Sequence, residues 1–289
     1  MVFHPRGLKI LPSSNSTDPS ALNSLVEEIT AAVRECLITQ GVPLPKKSSH
    51  HPQKQGIPES DQIGDSSTLA GRIDHTLLKP DATHAEIQHV CEEARKYHFA
   101  TVCVNATNVA IVAELLKDST TKPIAVVDFP LGAGATAAKA FEAREAIRAG
   151  AREIDMVINI GALKSKDYTL VLEDIRAVVE ASRPYGVKVI LETSSLNEDE
   201  KIIGCALSKA AGAAFVKTST GFAAGGATVA DVQLMRRVVG PEMGVKASGG
   251  IRTLEDANKM IAAGATRLGA SASVAIVNAD SGTTHPEEY

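Results

Sequence analysis

Eight short β-branched runs, helical patterns between them, and a lysine inside each of two neighbouring runs predict an α/β fold, a (β/α)8 TIM barrel with an N-terminal helical extension. The runs cover residues 73–78, 101–105, 124–129, 153–159, 188–193, 215–220, 244–248 and 267–271. The segments between them carry helix starts: Thr83 with Glu86, Asn197 with Glu200 and Thr228 with Asp231 each set an acceptor at the N-cap and a carboxylate three residues on. Ile87, Val90, Cys91 and Ala94 make one apolar stripe in the first of these helices. An Ala-Gly-Ala echo at Gly150, Gly212 and Gly264 ends three helices shortly before a strand, where glycine closes a helix. An open doubly wound sheet would place a glycine-rich loop after its first strand, and Lys79-Pro80-Asp81 stands there instead.

Ahead of the barrel, apolar positions Leu25, Ile29, Ala32, Val33 and Cys36 predict an amphipathic helix over 22–38. Residues 1–20, rich in Ser, Asn and Pro, are expected to be disordered, and 41–67 reads as a linker. The expected division is thus an extension over 1–67, a barrel over 68–279 and a tail over 280–289. A net charge of −4 without charge blocks argues against nucleic acid or a membrane surface as partner. The four cysteines form no Cys-x-x-Cys pair, which suggests neither a zinc site nor a disulfide framework. With no signal-like start and no apolar run near the ~20 residues of a membrane span, the expected location is the cytoplasm.

Barrel sites lie at the C-terminal strand ends, so polar residues in or just after apolar strands are the candidates: Asp74, Cys103, Asn105, Asp128, Asp155, Asn159, Glu192, Lys217, Lys246 and Ser271. Lys217 and Lys246, on successive strands, would sit side by side. Desolvation and like charge are both expected to depress their pKa values. Bringing one from about 10.4 to about 7 would raise its neutral fraction at pH 7 from below ~0.1% to about half, at a cost of ~4 kcal/mol. The plain alternative is that each lysine merely pairs with a barrel carboxylate, Asp155 being the obvious partner.

Ser248-Gly249-Gly250 after the seventh strand and Gly269-Ala270-Ser271 at the eighth form a second constellation. Barrels commonly hold phosphate there on backbone N–H groups. A flexible turn is the competing reading for the two adjacent glycines, and their coincidence with 269–271 favours phosphate. His84 and His89 lie five apart on a helix, on different faces, and read as surface residues.

The segments 73–79, 153–157, 215–222 and 245–252 together resemble the deoxyribose-phosphate aldolase family, over about residues 68–277. The resemblance implies a class I aldolase that cleaves 2-deoxy-D-ribose 5-phosphate reversibly to glyceraldehyde 3-phosphate and acetaldehyde, with no cofactor and no metal. It implies Lys217 as the Schiff-base lysine, Lys246 as the second lysine, Asp155 as the proton-moving carboxylate, and Asp74 in support. Thr218 and Cys103 are also expected in support, although a lone strand cysteine usually serves packing. The resemblance implies phosphate binding by Gly221, Ser248, Gly249, Gly250, Gly269 and Ser271, a phosphosugar and aldehydes as small-molecule partners, and a homodimer. Phe222 stands where some relatives have lysine, and Ala272 where many have serine, so phosphate would rest more on backbone N–H groups. The competing reading is a catalytically silent sugar-phosphate-binding paralogue.

Overall fold

The computed structural model describes residues 19–39, 41 and 66–280. Disorder of residues 1–18 and the linker over 42–65 fall outside the described residues. The expected helix begins earlier than its apolar pattern, because α1 (Pro19–Thr39) opens on proline, which suits the first helical position where no N–H partner is needed. Residues 19 and 20, expected to be disordered, therefore belong to this helix.

All eight expected strands form: β1 (Ile73–Leu77), β2 (Thr101–Val104), β3 (Lys122–Val127), β4 (Glu153–Val157), β5 (Gly186–Ile190), β6 (Phe215–Lys217), β7 (Gly244–Ser248) and β8 (Arg267–Ala270). They pair in chain order, all parallel, and β8 closes on β1. Several ladders stop short of the sequence reading. At Asp128 (φ 49°) and Glu192 (φ 56°) the backbone leaves the extended region and turns into a loop.

Around the barrel run α2 (His84–Tyr97), α3 (Val109–Leu115), α4 (Thr136–Arg148), α5 (Ile160–Lys164), α6 (Tyr168–Ser182), α7 (Glu198–Ala211), α8 (Val229–Val239), α9 (Leu254–Ala262) and α10 (Ser273–Asp280). Capping boxes close α2 at Thr83 and Glu86 and α7 at Asn197 and Glu200, each cap contributing about 1 kcal/mol. Thr228 accepts from the Asp231 N–H at 3.0 Å, but the Asp231 carboxylate turns to Lys201 at 2.6 Å, so that box is half made. A further box at Thr253 and Asp256 starts α9. The expected helix-ending glycines Gly150, Gly212 and Gly264 all have positive φ.

The main apolar core lies between strands and helices, where outward strand residues such as Ile154, Met156, Val216 and Val245 meet the helix stripes. Ile29, Val33 and Leu37 of α1 join this layer and pack the helix over α6, α7 and α8. A separate small cluster, Leu78, Cys103, Ile124 and Val126 with Phe129 against it, fills one side of the barrel interior. The opposite side is charged.

Candidate active site

Strand alternation sends Asp155, Lys217 and Lys246 into the barrel, and the closed parallel register brings them together. Lys217 and Lys246 are direct Cα partners across β6 and β7. Both ammonium groups reach one oxygen: Lys217 Nζ donates to Asp155 Oδ2 at 2.9 Å and Lys246 Nζ donates to it at 2.8 Å. Asp155 Oδ1 accepts from Lys188 Nζ at 3.0 Å. All four side chains are buried.

Asp74 backs this group from β1. Its Oδ1 accepts from Thr101 Oγ1 at 2.7 Å and from Arg267 at 2.8 Å. Lys246 Nζ lies 2.5 Å from Oδ2, an ion contact outside hydrogen-bond alignment, since that oxygen has no hydrogen-bond donor among the described residues. Glu153 completes the cluster, accepting from Lys188 and, at 3.2 Å, from Arg267. The Phe215 ring lies beneath, 5.6 Å from Lys188 Nζ and 5.3 Å from the Arg267 guanidinium. Gly244 beside it leaves the space that the ring fills, because a Cβ there would collide with Phe215.

The cluster holds three acids, Asp74, Glu153 and Asp155, and four bases, Lys188, Lys217, Lys246 and Arg267. One base lacks an acid of its own, and the geometry singles out Lys217. Lys246 touches Asp74 and Asp155, and Lys188 touches Glu153 and Asp155, whereas among the described residues Lys217 has only a share of Asp155. Burial depresses the Lys217 pKa below the ordinary lysine value, Asp155 opposes this, and the neighbouring Lys246 cation reinforces it.

The expectation that both lysines are depressed is corrected for Lys246. Burial acts downward there too, but Asp155 and Asp74 outweigh it and hold the ammonium above the ordinary lysine value. Lys188 is raised likewise: burial lowers it, and Asp155, Glu153 and Asp74 prevail. Asp155 and Asp74 feel burial as an upward push, yet their cationic neighbours keep both below the ordinary carboxylate range. The pairing anticipated as an alternative to chemistry is present, and it separates the two lysines: the Lys246 ammonium is held above the ordinary lysine value and that of Lys217 below it.

Of the supporting residues, Thr218 stitches β6 to β7, its Oγ1 donating to Ser248 O at 2.9 Å and accepting from Ser248 N at 3.0 Å. Cys103 sits in the inner apolar cluster, and burial pushes its thiol up to about 11, so it stays protonated. Four other candidates brace loops. Asn105 donates to Leu78 O at 3.1 Å, and Asn159 caps α5. Asp128 lies 3.1 Å from buried Lys139 and accepts from Gly134 N, while Glu192 Oε2 accepts from both Thr220 N and Thr220 Oγ1.

At the strand ends, Gly221, Gly249 and Gly250 have φ of 87°, 90° and 80°, a left-handed backbone that glycine adopts without strain. Ser271 follows β8 directly and is exposed, and α10 begins two residues later. Phe222 lies edge-on to Phe129 at 5.2 Å, joining the loops after β6 and β3. His89 pairs with Glu93 at 3.3 Å on the surface of α2.

Sequence reasoning missed Lys188, Glu153 and Arg267. Lys188 stands in Gly-Val-Lys-Val-Ile, the same setting as Lys246 in Gly-Val-Lys-Ala-Ser, so a lysine flanked by valines was the available signal.

A family model described as DeoC/LacD family aldolase matches residues 68–279. A Streptococcus suis protein named deoxyribose-phosphate aldolase is 61% identical over 206 residues, 71% of this chain and 94% of that one. The solved structure of a Coccidioides immitis protein assigned as a deoxyribose-phosphate aldolase superposes with TM-score 0.74 at 42% identity, covering 90% of this chain and 98% of the other. A deoxyribose phosphate aldolase from Aeropyrum pernix, described as a unique tetrameric structure, gives TM-score 0.70 at 32% identity, with 82% of this chain and all of that one covered. A charged triad inside a closed barrel and a family match across that whole barrel agree, and the chain belongs to the DeoC/LacD family of aldolases.

Proposed function

We propose that this protein is a class I aldolase that cleaves 2-deoxy-D-ribose 5-phosphate reversibly into glyceraldehyde 3-phosphate and acetaldehyde. One observation carries the reading: a buried lysine with depressed pKa shares a single carboxylate oxygen with a second lysine that stays charged. Neutral Lys217 attacks C1 of the open-chain sugar, and loss of water leaves an iminium. The bond that breaks is C2–C3, since its electrons can flow into the iminium once the C3 hydroxyl gives up its proton. Glyceraldehyde 3-phosphate departs, and the enamine left on Lys217 takes a proton at C2 before water releases acetaldehyde. Asp155, held between Lys217 and Lys246, is placed to move these protons.

The phosphate rests on N–H groups of the left-handed glycines Gly221, Gly249 and Gly250 and on the start of α10 near Ser271, with Gly269 and Ser248 alongside. The same proposal includes the division into 1–67, 68–279 and 280–289, a cytoplasmic location and self-association. No described helix is long and apolar enough to cross a membrane. Borohydride added with acetaldehyde is expected to leave an N-ethyl adduct on Lys217. Sugar-phosphate binding without an adduct would favour the silent paralogue instead, a reading against which the intact triad of Asp155, Lys217 and Lys246 speaks.

A further inference from the structure

Ser248 is buried, yet its hydroxyl has no hydrogen-bond partner among the described residues. A buried orphan of this kind costs free energy unless a ligand satisfies it. Two details fix where the hydroxyl faces. Ser248 follows Lys246 by two residues on β7, so the two side chains share the inward face. A Cβ added at Gly269, its register partner on β8, would run into Ser248 Oγ and come within 2.9 Å of Lys246 Cε. The missing side chain at Gly269 therefore leaves the space that both groups use.

The backbone of Ser248 is already engaged, since its N–H donates to Thr218 Oγ1 and its carbonyl accepts from the same hydroxyl. Only the side chain is available. Along the strand it lies about 6.6 Å beyond Lys246 toward the mouth, and Gly249 and Gly250 follow immediately. On the aldolase reading, a sugar joined to Lys217 at C1 with its phosphate at the glycines would bring the carbon before the phosphate-bearing one to this part of β7.

We infer that Ser248 Oγ binds the C4 hydroxyl of the sugar, the hydroxyl that the departing glyceraldehyde phosphate keeps, and so sets the preference for a hydroxylated acceptor over its deoxy counterpart. This rests on the aldolase reading above and reassigns Ser248 from the phosphate to the neighbouring carbon. Ser219, two residues beyond Lys217, is also fully buried with an unpartnered hydroxyl, a second sign that the strand ends of β6 and β7 await polar ligand atoms.

The test runs the condensation with acetaldehyde and two acceptors, glyceraldehyde 3-phosphate and 3-phosphooxypropanal, which lacks only the hydroxyl in question. Ser248→Ala is expected to shrink the ratio of their kcat/KM values about tenfold, the worth of one hydrogen bond to a buried group. Ser248→Cys, which keeps the volume and donates weakly, should shrink it too, and a thermal melt of each variant separates this effect from a failure to fold. An unchanged ratio in either folded variant overturns the assignment, and so does a loss of inhibition by inorganic phosphate, which would place the hydroxyl on the phosphate. Absence of condensation with both acceptors in the unsubstituted protein would sink the aldolase reading itself, and this one with it.

Discussion

Lys217 and Lys246 face each other across β6 and β7, and a single atom, Oδ2 of Asp155, accepts from both, at 2.9 Å and 2.8 Å. Two lysines so placed cannot behave alike. Lys246 adds Asp74 at 2.5 Å, whereas Lys217 has no second acid among the described residues.

Lys217→Met should abolish turnover and adduct formation while keeping the fold. Its depressed pKa means that the folded state disfavours the ammonium, which an unfolded chain carries freely below its ordinary value. A thioether of similar shape removes that conflict, and urea unfolding at neutral pH should show stability unchanged or raised by about 1–2 kcal/mol.

Asp155→Leu should do the opposite. Lys188, Lys217 and Lys246 would lose the carboxylate they share, and breaking a buried ion cluster from one side costs about 3–5 kcal/mol. A melting temperature equal to that of the unsubstituted protein would contradict the arrangement.

The pH dependence follows from the sign of the Lys217 shift. Only the neutral amine attacks a carbonyl, so the rate of reductive trapping should rise with pH and level off at a midpoint below the ordinary lysine value. Lys246→Leu removes the neighbouring cation that helps depress Lys217, so its midpoint should move to higher pH, and turnover should fall by orders of magnitude. Near-normal turnover would remove Lys246 from the mechanism. For stability the raised Lys188 works the other way: its contribution is complete below the ordinary lysine pKa and fades as pH climbs through the folded value.

Lys188→Met frees Asp155 Oδ1, the oxygen opposite the one used by the two lysines. We expect kcat to drop by about 10- to 100-fold with KM changed little, because the carboxylate loses its orientation while substrate contacts remain. A purely structural lysine would instead lower the melting temperature with kcat per folded molecule intact.

Glu192 holds Thr220 from a left-handed backbone position that a side chain of its size rarely occupies. Glu192→Gly should relax the backbone and release the loop carrying Gly221, raising KM for the phosphorylated sugar about tenfold. Glu192→Gln, which can still accept from Thr220, should sit closer to the unsubstituted protein in a steady-state comparison.

The strands and most helices were legible because strand alternation and capping pairs are local signals: the Thr83 and Asn197 boxes formed as expected. The lysine pair was legible because charge inside an apolar run is costly enough to stand out. Its direction was not, since whether Lys246 gains or loses basicity depends on Asp74, 172 positions away in the chain and adjacent only once β8 closes on β1. Arg267 and Glu153 were missed for a related reason. They open their strands, where the alternation of the sequence leaves open whether a charge faces inward or lies at the rim. Glu192, Asp128 and Asn159 looked like site residues because loop braces occupy the same strand ends as chemistry does.

The odd count of the buried cluster, four bases against three acids, has a consequence for the proposed reaction. With Lys217 neutral the cluster is electrically balanced and has room for one itinerant proton. The positive charge enters when a proton is consumed in expelling water to form the iminium; when the sugar splits, the iminium becomes a neutral enamine and the C3 hydroxyl proton passes to the carboxylate, from which it returns to carbon when the enamine is quenched. Charge is relayed within a sealed set of partners, and the barrel need not exchange it with solvent between the two halves of the cycle.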